Sequence, residues 1–143
     1  MIRQANQGNG SGQRSAAAAV ELACVLPFLA FVFAAAVDFG RVHFATQTLS
    51  QAARNGALYA SGSVWVAQSQ ETNVQAARAA VLREGQSLNP PLTAEQVTAD
   101  ITSESATVTV NYELPLMTAM LISRGRVSLQ RSVTMAIAPR PGQ

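Results

Sequence analysis

The chain has 143 residues, ten arginines against eight acids for a formal charge of +2, and a single histidine and a single cysteine. One Cys and one His exclude a disulfide framework and a Cys/His zinc site, and leave only His43 for a nucleophile–His–acid triad. The charged share is 13% with 6% aromatics, against a usual charged share of about 25%. The arginines are scattered singly from Arg3 to Arg140, without the basic stripe or aromatic platform of a nucleic-acid surface.

Residues 1–15, MIRQANQGNGSGQRS, hold Arg3 and Arg14 but no acid and nothing to build a core, and read as a disordered hydrophilic leader. The next 22 residues, Ala16 to Val37, carry one charged side chain, Glu21. As a helix this stretch is about 33 Å long, close to the hydrocarbon thickness of a bilayer. Pro27 would end a soluble helix but is tolerated with a kink in lipid. Arg3 and Arg14 precede the span, whereas Asp38 and Arg41 cancel after it. The N-terminus is therefore expected in the cytoplasm and the rest outside.

Helical periodicity continues past the span. Val42, Ala45, Leu49, Ala52, Gly56 and Tyr59 recur at alternating spacings of three and four, a seam of small residues suited to close packing. One helix is predicted from about Ala17 to Ala60, ended by Ser61-Gly62-Ser63. A second is predicted over roughly Gln70 to Gln86, with Val74, Ala77, Val81 and Leu82 on its apolar face and Gly85 near its stop. After Asn89-Pro90-Pro91 the period becomes two. Val97, Ala99 and Ile101 mark a first strand. Thr107–Val110 with Tyr112 marks a second, after Ser103-Glu104-Ser105, and Val127, Leu129, Val133, Met135 and Ile137 mark a third. Leu116 to Ile122 suggests a short helix opened by Pro115, and the RPGQ tail reads as unstructured. The expected fold is α+β: a long N-terminal transmembrane and amphipathic helix, then a second helix, packed on a small antiparallel sheet of about three strands. The implied divisions are a leader at 1–16, a transmembrane segment at 17–38 and an extracytoplasmic α+β domain at 39–143.

Glu21 is the residue with most to say about function. A carboxylate at mid-membrane costs about 2.5–3.5 kcal/mol. It reads in three ways: as an acid at the interface near the helix start; as part of a secretory signal cut after Ala34-x-Ala36; or as the glutamate of a prepilin-type signal. Asp38 and Arg41, three apart on one helix face, suit a solvated pair at the outer membrane interface. Cys24 reads as a small apolar residue and His43 as a surface side chain. Arg54 covers polar surface, and Gly56 allows close helix approach. Gly8, Gly10 and Gly12 follow no strand and make no phosphate loop. Glu71, Glu84 and Glu95 are separate surface acids.

Four segments in order then resemble the TadE-like family, minor pilin-like proteins of tight-adherence (Flp-type) pilus systems. They are Ala17-Ala18-Ala19-Val20-Glu21-Leu22, Leu26-Pro27-Phe28-Leu29, Val37-Asp38-Phe39-Gly40-Arg41, and Ala52-Ala53-Arg54-Asn55-Gly56-Ala57 with Tyr59-Ala60. The resemblance covers about residues 14–60. It implies a pilin-like fold, a structural rather than enzymatic role and no cofactor, metal or catalytic residue. With Glu21 as fifth mature residue, it places a prepilin-peptidase cut between Ala16 and Ala17. Ala16 stands where the family usually has glycine, and Leu22 where it has an aromatic. The resemblance also implies that Glu21 pairs with the α-amine of a neighbouring subunit. The implied partners are other pilin or TadE/TadF-like subunits, the inner-membrane assembly platform, prepilin peptidase and membrane lipid, with no nucleic acid. The implied location is the bacterial inner membrane, single-pass. The alternative is an extracytoplasmic binding domain, membrane-anchored or released by signal peptidase near Ala36.

Overall fold

A computed structural model describes residues 10–62, 70–120 and 125–137. Residues 1–9, Leu121 and Ile122 of the expected short helix, Ser63 and the RPGQ tail lie outside the described residues. Helix α1 runs Gly10–Ala60, helix α2 Gln70–Gly85, and strands β1 Val97–Ile101, β2 Ser105–Pro115 and β3 Arg126–Ala136 follow. Short 3-10 helices stand at Ala94–Gln96 and Met117–Met120. This is the α+β plan expected, a long helix, a second helix and a three-stranded antiparallel sheet. The chain divides into two units, one ending at Val37 and one beginning at Asp38.

In the first unit α1 starts seven residues earlier than expected, at Gly10 rather than Ala17, so the inner end of the supposed leader is helical. Helix propagation explains this. Once the alanine-rich stretch has formed turns, each added residue gains a hydrogen bond without a new nucleus. Pro27 stands inside the helix. Val20, Leu22, Val25, Leu26, Phe28, Leu29, Phe31, Val32 and Phe33 are all exposed, and none of the most apolar 18-residue window is buried. Full burial of each such side chain is worth about 1.5–3 kcal/mol, so leaving the set in water forfeits on the order of 10 kcal/mol. That rivals the whole stability of an ordinary domain. The surface is suited to lipid or to other apolar helices.

In the second unit the sheet order is β1-β2-β3, both pairs antiparallel, with Val97 opposite Val110 and Tyr112 opposite Leu129. The central strand β2 buries Ala106, Val108, Val110, Tyr112 and Leu114. Edge strand β3 leaves its inward residues half-buried. The other sheet face is polar, held by Thr107–Thr134 and Thr109–Ser132 hydroxyl hydrogen bonds of 2.9 Å and an exposed Glu113–Arg126 ion pair. One face packed and one solvated is the usual economy of an antiparallel sheet.

The covering layer comes from α1 and α2. Ala45, Leu49, Ala52, Ala53, Ala57 and Ala60 of α1 are buried with Ala77 and Val81 of α2. Alanine keeps backbones close here. At Gly56 an added Cβ would stand 2.5 Å from Val81 Cγ2 and 3.2 Å from Val108 Cγ1. α1 ends after Ala60, where Gly62 takes a left-handed φ of 69° and its N–H donates to the Tyr59 carbonyl.

Candidate functional site

The residues singled out in the sequence fall in three places on α1. Ala16, Ala17 and Glu21 lie in its first unit, all exposed. The Ala16–Ala17 bond is inside the helix, not at its edge. Among the described residues no side chain pairs with Glu21, which stands between exposed Val20 and Leu22. Cys24 is exposed in the same stretch.

Asp38 and Arg41 open the second unit. They form the expected i,i+3 pair, at 3.4 Å. Asp38, however, is not a solvated boundary acid: it is 5% exposed. The backbone N–H groups of Met117 and Thr118 and the Thr118 hydroxyl all donate to its carboxylate, each at 2.7 Å. The carboxylate thus caps the N-terminus of the 3-10 helix Met117–Met120, taking the donors that the first turn leaves unsatisfied. Arg41 Nη1 reaches the Pro115 carbonyl at 3.0 Å, so the ion pair straddles the end of β2. Nearby, the Tyr112 hydroxyl donates to the Pro90 carbonyl at 2.7 Å. Burial pushes the Tyr112 phenol above its ordinary 10.0, with the Arg41 charge opposing.

Sequence reasoning missed the partners of Asp38. Pro115 announces a helix start, and Met117 and Thr118 therefore carry free amides. Nothing local says which acid, 79 residues back in the chain, receives them.

Gly56 is buried at the meeting of α1, Val81 of α2 and Val108 of β2. Arg54 is exposed beside it. His43 is exposed and shares a hydrogen bond with Gln47 at 2.7 Å. Of the three separate acids, Glu84 accepts from Asn55 at 3.1 Å and Glu71 from Gln75 at 3.4 Å. Among the described residues no group of three or more His, Cys, Asp or Glu side chains could hold a metal ion.

The arrangement offers an exposed apolar surface and, after it, a buried carboxylate latch on the same helix. The family described as TadE-like protein matches residues 16–58. Over this segment the chain is similar to that family. The segment begins at Ala16, includes Glu21, Asp38, Arg41 and Gly56, and ends in the packed part of α1. No curated protein and no solved structure matches the chain. The long apolar N-terminal helix fits a membrane anchor.

Proposed function

We propose that this chain is a structural subunit, minor pilin-like, in the assembly of a tight-adherence (Flp-type) pilus or a related secretion apparatus. The observation that carries the reading is the TadE-like match over residues 16–58, since that family suggests a role in Tad pilus assembly and is structural rather than catalytic. The apolar exposed stretch of α1 supports it: lipid and neighbouring helices are the two environments such a surface suits.

In this reading the chain is single-pass in the bacterial inner membrane, with Arg3 and Arg14 inside and the domain from Phe39 onward outside. Prepilin peptidase cuts between Ala16 and Ala17, unwinding the local turn of α1 to reach the bond. Glu21 then neutralises the new α-amine of a neighbouring pilin or TadE/TadF-like subunit. Two opposite charges in lipid relieve each other's desolvation, whereas either alone is costly. Asp38 and Arg41 mark the outer interface, and Gly56 keeps α1 close to its domain.

The test is Glu21→Gln. Incorporation into the pilus assembly is expected to fall sharply, while the protein still fractionates with membranes. Unchanged incorporation would assign Glu21 to the interface near the helix start and remove its pairing role. Release of the unmodified chain into the soluble fraction would favour the secreted-domain alternative.

A further inference from the structure

The sequence places the end of the apolar stretch at the charged pair Asp38 and Arg41, but the fold does not present that pair to its surroundings. Asp38 is covered by Met117 and Thr118, and Arg41 is drawn to the Pro115 carbonyl. The large exposed side chains at this level are mostly apolar, with His43 between them hydrogen-bonded to Gln47: Phe39 is 75% exposed, Phe44 54% and Met117 63%. Phe39 and Phe44 are five residues apart, so they leave α1 about 140° apart around its axis. Asp38, which holds the Met117 amide, leaves α1 about 100° from Phe39, on the side away from Phe44. The three apolar side chains are thus distributed around the helix rather than along one stripe.

We propose that Phe39, Phe44 and Met117 form an apolar collar that seats the extracytoplasmic domain in the headgroup–acyl boundary of the membrane, so that the outer membrane edge lies near Phe44 and not at Val37. This rests on the reading of α1 as a membrane anchor. Lipid is the occupant that the geometry favours. A partner protein would cover one side of the helix, whereas a collar matches a medium that surrounds it. The collar also begins at the second residue after the apolar stretch that ends at Val37. From Val37 to Phe44 the helix advances about 10 Å, against an interfacial layer of about 5–7 Å on each side of the hydrocarbon core. Phe39 and Met117 then sit within the layer; the Phe44 backbone lies a few ångströms beyond it, and its side chain, leaning back toward the helix N-terminus, reaches the outer margin. Apolar faces of interfacial segments bury to comparable depths. Asp38 completes the device: by taking the amides of Met117 and Thr118 it fixes Met117 at that depth while its own charge is satisfied by protein.

The experiment uses the full chain with Trp65→Phe, reconstituted in phosphatidylethanolamine–phosphatidylglycerol vesicles, carrying one reporter at a time: Phe31→Trp, Phe39→Trp, Phe44→Trp or Met117→Trp. Brominated acyl chains and aqueous iodide are the two quenchers. All four reporters are expected to emit at shorter wavelength than free tryptophan. Phe31→Trp, Phe39→Trp and Met117→Trp lose most of their emission to brominated chains, and Phe44→Trp responds to both quenchers. If Phe31→Trp is quenched by bromine but Phe39→Trp and Met117→Trp answer only to iodide, the collar is wrong and the anchor stands. Blue-shifted Phe39 and Met117 reporters that neither quencher reaches would mean a protein partner and overturn the lipid assignment. If Phe31→Trp itself escapes bromine, the anchor reading fails and the collar with it.

Discussion

At Asp38, one carboxylate accepts two backbone amides and a hydroxyl at 2.7 Å, while its partner Arg41 stands off at 3.4 Å. The magnitudes rank these contacts. Hydrogen bonds to a charged group are worth about 1.5–3 kcal/mol, with a further penalty for donors left buried and unpaired. An ion pair with a partly exposed arginine is worth about 0–1 kcal/mol. Asp38→Ala should therefore destabilise the domain by about 2–4 kcal/mol and Arg41→Ala by less than about 1 kcal/mol, read by denaturant unfolding of the full chain in detergent. Equal effects would mean that the ion pair, not the cap, holds the 3-10 helix.

Tyr112 supplies a pH dependence. Its folded pKa is raised above 10.0 by burial, so the unfolded chain loses the phenolic proton first as pH rises. The stability tied to the neutral phenol is present below pH 10 and is lost as pH climbs through the folded value. Unfolding midpoints of the wild type should drop above pH 10 more steeply than those of Tyr112→Phe. That variant starts lower because it lacks the 2.7 Å bond to Pro90, and parallel curves would contradict the assignment.

At the scale of elements, the packing of α1 on α2 and β2 turns on a missing side chain. Gly56→Ala brings a Cβ within 2.5 Å of Val81 Cγ2, and valine has little rotamer freedom to yield. The expected cost is about 1–3 kcal/mol. Val81→Ala in the Gly56→Ala background should recover part of it, a coupling that a double-mutant cycle measures. Strand β2, hydrogen-bonded on both sides, should hold the slowest-exchanging amides of the sheet. β3, with one neighbour, should show alternating fast and slow amides.

These elements were largely legible in the sequence because their periodicities are strong. The seam Val42, Ala45, Leu49, Ala52, Gly56, Tyr59 falls on buried or half-buried positions throughout. So do Val74, Ala77, Val81 and Leu82 on α2 and the alternating residues of β1, β2 and β3. Two things escaped. The helix start depends on propagation out of a nucleus, not on the propensity of Gly10 to Ser15. The burial of Asp38 depends on a contact 79 residues away in the chain, which no local pattern encodes. Pro115 announced only half of that contact.

For the whole molecule, the contrast between a long exposed apolar helical stretch and a domain with a polar outer sheet face supports the proposed role. The α1 alanines that look like weak core filler in a composition count are small surfaces: Ala45, Ala52, Ala53, Ala57 and Ala60 are buried, whereas Ala16 to Ala19 are exposed. The measurement that tests the central claim most directly is the intact mass and N-terminal sequence of the protein recovered from bacterial membranes. A membrane-retained product beginning at Ala17, lost when prepilin peptidase is blocked, is the predicted result. A soluble product beginning at Val37 would contradict the account.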